Sequence, residues 1–260
     1  MKKYIGTSAI LWLLVIAPVI QSNATELMAA SKIDEVKSFV VGVENIDYFP
    51  HHAIKRADKG LAFVILDLFA RQMGYQFLYQ EYPIRRLRTN LITHRTVDFS
   101  YPDHPSWSPE IKGNTAIIYS DPVVHVVSGT MVPRELDGIA PEMIKVLAVI
   151  RGFTPTLWEG RLNSVQLLEV SDAQSMLKMV LLGRADGADM DLSVANYHLK
   201  EMDAEGELVM TKSLAYTRFP FYLSTVKYPK VVDQFNQFLH DNAKQIEAIK
   251  REYAILEVLN

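Results

Sequence analysis

The side chains of this chain best able to do chemistry are aromatic, cationic and hydroxyl groups set at the ends of short apolar runs. Tyr48 and Phe49 follow the β-branched run of Val40, Val41 and Val43, in a segment punctuated by Asn45, Asp47 and Pro50. Rings in that position can stack on a flat or apolar part of a small molecule, or pack neighbouring elements together. Tyr101 and Trp107 stand in the proline-rich stretch Tyr101 to Pro109, where they could line the mouth of a cleft or pack beneath the loop. Arg85 and Arg88 lie one helical turn apart. One of them could hold an anionic group, against the alternative of a solvated helix face, and Arg85 is the candidate because it is nearest the helix start. Arg151 directly follows the run VLAVI, with Gly152 to permit a tight turn and Thr154 to offer a hydroxyl. Free amides at a following helix start can bind an anion. Ser120 could donate to a ligand or stabilise the Asp121-Pro122 turn.

The rest of the chemical inventory excludes more than it suggests. The 260 residues include no cysteine, which removes thiolate nucleophiles, thiolate metal sites and disulfides. His51 and His52 read as adjacent and exposed, and His94, His104 and His125 are scattered; none has the spacing of a metal motif, so no metal site is expected. No nucleophile elbow, phosphate-binding loop or dinucleotide glycine cluster occurs, so no cofactor and no enzymatic activity are expected. The pair Asp189 and Asp191 is too ordinary to imply acid–base work, and Asp189 reads as structural. The formal net charge is −3 and no long basic block is present, which argues against a nucleic-acid partner.

These residues must be positioned by alternating strands and helices. Lys2 and Lys3, the apolar run Ala9 to Ile20 and the small residues Ser22 and Ala24 read as a cleaved signal peptide over residues 1–24, with export to the periplasm as the consequence. The apolar run is about 12 residues, short for a membrane span. Phe39 to Val43 reads as a buried strand, and Leu61 to Met73 as a helix with Leu61, Val64, Ile65, Leu68 and Phe69 on its apolar face. In a parallel sheet the loop between them lies beyond the carboxyl end of the strand, where open α/β proteins bind ligands. Further strands are expected at Tyr75–Tyr79, Ala116–Tyr119, Val123–Val127, Val146–Ile150, Val165–Val170, Leu208–Tyr216 and Phe219–Ser224. Helices are expected at Ile84–His94, after a cap at Asp172, at Ser193–Leu199, and over Pro229–Leu259. Asp191 can cap the helix at Ser193. The alternation occurs twice with a return segment, the pattern of two α/β lobes joined by crossover strands near Tyr119–Val127 and Tyr216–Ser224; one large α/β domain is the alternative. The first lobe would comprise residues 25–124 and 218–260, and the second residues 125–217.

The order of motifs resembles the bacterial periplasmic solute-binding proteins of family 3, the polar amino acid importer type with a type II two-lobe fold. VGVENIDYFP resembles the first strand and ligand loop, GLAFVILDLFARQMGY the next helix, and YSDPVV the aromatic-Ser-x-Pro segment before the crossover. KVLAVIRG resembles the second-lobe strand and its glycine turn, and DAQSMLKMVLLGRADGADMD the helix, Gly-Arg-x-Asp turn and strand. The resemblance implies an α/β fold in which each lobe is a central β-sheet flanked by helices, joined by two crossover strands and closing on a small polar solute without catalysis. It implies a membrane partner, either an ABC permease or a membrane sensor, and places Asp191 where a ligand ammonium can be met across the cleft. A monomer is expected. One departure stands out: the arginine that usually precedes the aromatic-Ser segment, to grip a ligand carboxylate in a bidentate pair, is absent from Ile111–Thr115. Lys112 lacks the planar fork to replace it. An ordinary α-amino acid ligand is therefore in question.

Overall fold

A computed structural model describes residues 36–259. The expected signal peptide lies outside them. One β-sheet path runs through the described chain in the order β2 (Tyr75–Tyr82), β1 (Lys37–Glu44), β3 (Phe99–Asp103), β10 (Tyr216–Thr225), β5 (Val124–Pro133), β8 (Gly187–Asp191), β6 (Val146–Ile150) and β7 (Gln166–Val170). The first half is built on β1 (Lys37–Glu44), which pairs in parallel with β2 (Tyr75–Tyr82) and β3 (Phe99–Asp103). Phe39, Val41 and Val43 are buried on one face, and toward the carboxyl end Gly42 and Glu44 on the other face are buried too, so the alternation is lost there. Helix α1 (Leu61–Met73) packs on β2, and its C-terminus is closed by Gly74 in the left-handed conformation, with φ 67°.

The second half is built on β6 (Val146–Ile150), parallel to β7 (Gln166–Val170) and to β8 (Gly187–Asp191). Helix α4 (Ala173–Leu181) packs on β6 and β8, with Asp172 as its cap accepting from the Ser175 amide at 2.7 Å. Helix α5 (Leu192–Glu201) packs against β5 (Val124–Pro133). A short strand, β9 (Leu208–Met210), adds to β5.

Two long strands join the halves. β5 and β10 (Tyr216–Thr225) run antiparallel, pairing from Tyr216 with Gly129 to Phe221 with Val124. Beyond Phe221, β10 leaves β5 and pairs with β3 and with β4 (Ile118–Tyr119). The sequence divides this segment at Pro220, yet the strand is continuous. Pro220 lacks an amide hydrogen, and it stands one residue before pairing passes from one half-sheet to the other, where a ladder donor is least missed.

Other boundaries also shift. The irregular loop expected from Tyr101 begins only after Asp103, because Phe99 to Asp103 is completely buried and pairs with β1 and β10. The expected helix at Ile84–His94 is α2 (Ile84–Thr89) followed by a π-helical turn at Asn90–His94. A single turn, α3 (Pro109–Lys112), precedes β4. The terminal helical stretch is broken by Asn242 into α6 (Pro229–Asp241) and α7 (Ala243–Glu252). Among the described residues no helix is long and apolar enough to cross a membrane.

Candidate functional site

The carboxyl ends of β1 and β3 in the first half face those of β6 and β8 in the second, and a cavity lies between them. The atom-free space there is about 700 Å³ with the open mouth included. The first half contributes Glu44 from the end of β1, Tyr48 and His52 from the loop after it, Ile84 and Arg88 from α2, Pro102 and Trp107. The second half contributes Val149, the loop Gly152 to Thr156, and Asp189 and Met190 from β8. Phe219, Phe221 and Ser128 of the connecting strands form the floor. Gly152 adopts φ 89°, and a Cβ there would stand 3.4 Å from Cβ of Ile84 in the opposite half. The turn therefore needs glycine for its conformation, and a Cβ would make ordinary van der Waals contact with Ile84.

Arg88 is the basic residue that α2 delivers to the cavity. The helix turns Ile84 and Arg88, four residues apart, onto the same wall, and a step of one residue takes Arg85 off it. Arg88 is fully buried; Nη1 donates to Ser100 Oγ at 2.7 Å, and Nη2 donates to Glu44 Oε1 at 3.1 Å and to the Pro102 carbonyl at 3.0 Å. Its Nε lies 3.7 Å from Asp103 Oδ1. Lys112, buried behind it, donates to the same Asp103 oxygen at 2.8 Å and to the His104 carbonyl. Asp103 also accepts from Ser224 Oγ at 2.7 Å. Two cations and two carboxylates thus offset one another's charge, which is the condition for tolerating buried charge, while Arg88 Nε makes no hydrogen bond among the described residues. Lys112 occupies the segment where the resemblance calls for an arginine, and its ammonium is spent. Burial lowers the Lys112 pKa, and Asp103 offsets this in part.

Asp189 is the exception to this matching. It lines the cavity from β8, its Oδ1 is buried, and that oxygen accepts no hydrogen bond among the described residues. Burial alone pushes its carboxyl up to about 7. Such a shift at a cleft wall marks a candidate functional group.

The two halves touch directly beside the cavity. His51 Nε2 lies 3.1 Å from Asp191 Oδ1, and the Asp191 amide donates to the Tyr48 hydroxyl oxygen at 3.1 Å. Asp191 also caps α5, accepting from the Val194 amide at 2.9 Å. Burial and the Asp191 charge raise the Tyr48 phenol well above its ordinary value, so it is neutral. Tyr48 meets Phe153 edge to face at 5.5 Å. Farther out, Arg56 donates to Glu201 through Nη1 and Nη2 at 3.0 and 2.9 Å, to the Tyr197 hydroxyl at 2.7 Å, and to Asp47 at 2.7 Å. The Arg56 guanidinium holds the Glu201 carboxyl down at about 2.

Several sequence expectations need correction. Arg85 is 71% exposed and lies 3.7 Å from Glu110; it is not at the cavity. Arg151 is 73% exposed and paired with Glu169 at 3.4 Å, because the turn at Gly152 carries the chain inward while its predecessor stays at the edge. Phe49 turns away from the cavity onto Tyr197, at 4.4 Å between ring centres, and under Arg56. Tyr101 is fully buried inside the first half without lining the cavity. Ser120 serves the crossover, donating to the Asp121 carbonyl at 2.6 Å and accepting from the Leu223 amide at 3.1 Å. Asp191 lies at the junction of the halves with its Oδ1 already engaged. Tyr48 and Trp107 do line the cavity. His51 and His52, expected to be exposed, are buried at 0% and 1% exposure. Glu44, Phe153 and Phe219 line the cavity without a local sequence signal that marks them for it, and Asp189, which the sequence suggests is structural, lines it as well.

No family model matches the sequence, and no curated protein sequence is similar enough to count as a relative. Solved structures do match. The substrate-binding protein of an amino acid ABC transporter superposes with TM-score 0.66 at 17% identity, covering 83% of this chain and 98% of that one. The GluR0 ligand-binding core in complex with L-glutamate gives 0.70 at 13% identity, covering 84% and 99%. A histidine kinase sensor domain with similarity to periplasmic binding proteins gives 0.68 at 20% identity, covering 86% and 100%. At these identities the likeness is one of fold, without assignment to family 3 in particular. The described chain has the two-lobe α/β architecture of the type II periplasmic binding fold, its lobes joined by two crossover strands.

Proposed function

We propose that the protein is an exported, non-catalytic binding protein that captures a small solute between its lobes and presents the closed form to a membrane partner. The observation that carries this reading is the cavity itself: both lobes and both connecting strands supply its walls, so an occupant bridges them. A solute that touches both walls favours the closed arrangement by the difference between its contacts in the closed and open states. The proposed lobes are residues 25–124 with 218–260, and 125–217; the second boundary falls inside the stretch where β10 still pairs with β5, and β10 changes partners only after Phe221.

The importer and sensor readings share this mechanism and differ in the partner. The matched structures include both kinds, a transporter's substrate-binding protein and a kinase sensor domain. The experiment is small-angle scattering combined with calorimetry across a panel of amino acids, amines, carboxylates and sugars. Saturable one-to-one binding with a fall in radius of gyration is expected. Absence of both across the panel would refute the reading.

A further inference from the structure

The charges facing the cavity divide into matched and unmatched ones. Arg88 is paired with Glu44 and lies close to Asp103, Lys112 is paired with Asp103, and Asp191 is engaged by His51 and its own helix. Asp189 Oδ1 is buried and accepts no hydrogen bond, and Asp189 has no ion-pair partner within 4.0 Å among the described residues. Asp191 Oδ2 and the ring nitrogens of His52 also lack hydrogen bonds, yet Asp191 faces His51 and His52 lies 3.6 Å from Glu44. Thr130, opposite it on β5, accepts from the Trp158 indole at 3.1 Å. Asp189 is half-buried, with one carboxylate oxygen shut away from solvent; that unpartnered oxygen is costly, and a cation supplied through the cavity removes the cost.

Resting on the solute-binding reading, we propose that the solute is an organic cation, an ammonium or similar group on an apolar body without a carboxylate, and that Asp189 is its anchor. The rings of Tyr48, Trp107, Phe153, Phe219 and Phe221 line the same space. Their faces attract a cation, and their area suits an apolar body. A free carboxylate on the solute would meet the opposite situation. Both buried cations are already neutralised, and Glu44 and Asp189 would repel it. The free Asp189 carboxyl, pushed up to about 7, is partly protonated near neutrality, and binding of a cation expels that proton.

The test is titration calorimetry on the purified folded chain at about pH 8. The probes are 2-phenylethylammonium, L-phenylalanine, 3-phenylpropionate and 2-phenylethanol, which share one ring and differ in charge, with a set of alkyl and heteroaryl amines alongside. We expect at least one amine to bind one-to-one and at least about tenfold tighter than its carboxylated counterpart. Asp189→Asn should weaken it by about tenfold or more, while Arg85→Ala leaves it unchanged. Thermal melting of each variant confirms folding. A carboxylated probe binding as tightly as its amine, an amine affinity unmoved by Asp189→Asn, or binding confined to sugars or acids would overturn the cation assignment and leave the solute-binding reading standing. No binding by any probe, including the wider panel of amino acids, acids and sugars, would remove both.

Discussion

Arg88 and Glu44 meet at 3.1 Å at the cavity wall, one fully buried and the other 3% exposed. The pair explains why a cavity bordered by a guanidinium need not be an anion site: the charge is already answered. Arg88→Ala would leave Glu44 and Asp103 buried with their counter-charge reduced to Lys112, a loss of about 3–5 kcal/mol in unfolding free energy by denaturant titration. Arg85→Ala, at the exposed position one turn earlier, should change stability by less than about 0.5 kcal/mol. Equal effects at the two positions would contradict the assignment of Arg88 as the buried member.

Asp191 joins two tasks, capping α5 and meeting His51 across the lobes. Asp191→Ala should cost about 1–3 kcal/mol, from the lost cap and the unpartnered imidazole. It should also enlarge the radius of gyration of the free protein in scattering. A variant as compact as the parent would show that this contact does not hold the lobes together.

The outer clasp is expected to act on closure rather than on stability. Arg56 is 28% exposed, and partly exposed pairs contribute little, so Arg56→Ala should lower unfolding free energy by no more than about 1 kcal/mol. The contacts removed cross between the lobes, so opening should be faster. Single-molecule energy transfer between labels on α1 and α4 would record shorter closed dwell times; unchanged dwell times would discount the clasp.

The pH dependence of Asp189 has the reverse sign from a salt-bridged carboxylate. Its folded-state pKa is raised, so its favourable contribution is complete below the ordinary carboxylate range and is lost as pH rises through about 7. Relative to Asp189→Asn, the parent should lose stability between about pH 4 and pH 7 in denaturant titrations. Binding of an organic cation should strengthen over the same interval. A stability difference between the two proteins that is flat in pH would show that Asp189 is solvated in the folded state.

Much of the fold can be read in the chain because its signals are local. The run before Asn45, the periodicity of Leu61 to Met73 and the cap at Asp172 each specify an element over a few residues. The site was less legible because it depends on which way a side chain turns within an element. Arg85 and Arg88 satisfy the same helical spacing, and only the packing of Leu87 and Ile84 decides that Arg88 goes inward. Glu44 reads as the polar end of a strand until Arg88, forty-four residues away, reaches it. Asp189 lies within the segment Asp172 to Asp191 but has no signal of its own; its significance is the absence of a partner, a property of the assembled cavity. The departure at Lys112 was visible, and the structure supplies its reason, since that ammonium is committed to Asp103.

Native mass spectrometry of the protein, purified folded from its own host without refolding, tests the central claim most directly. The account predicts a one-to-one adduct that dissociates as a small organic cation and is lost or depleted in Asp189→Asn. A carboxylate-bearing adduct retained in Asp189→Asn, or a protein that is empty from its host and binds no amine when challenged, would contradict it.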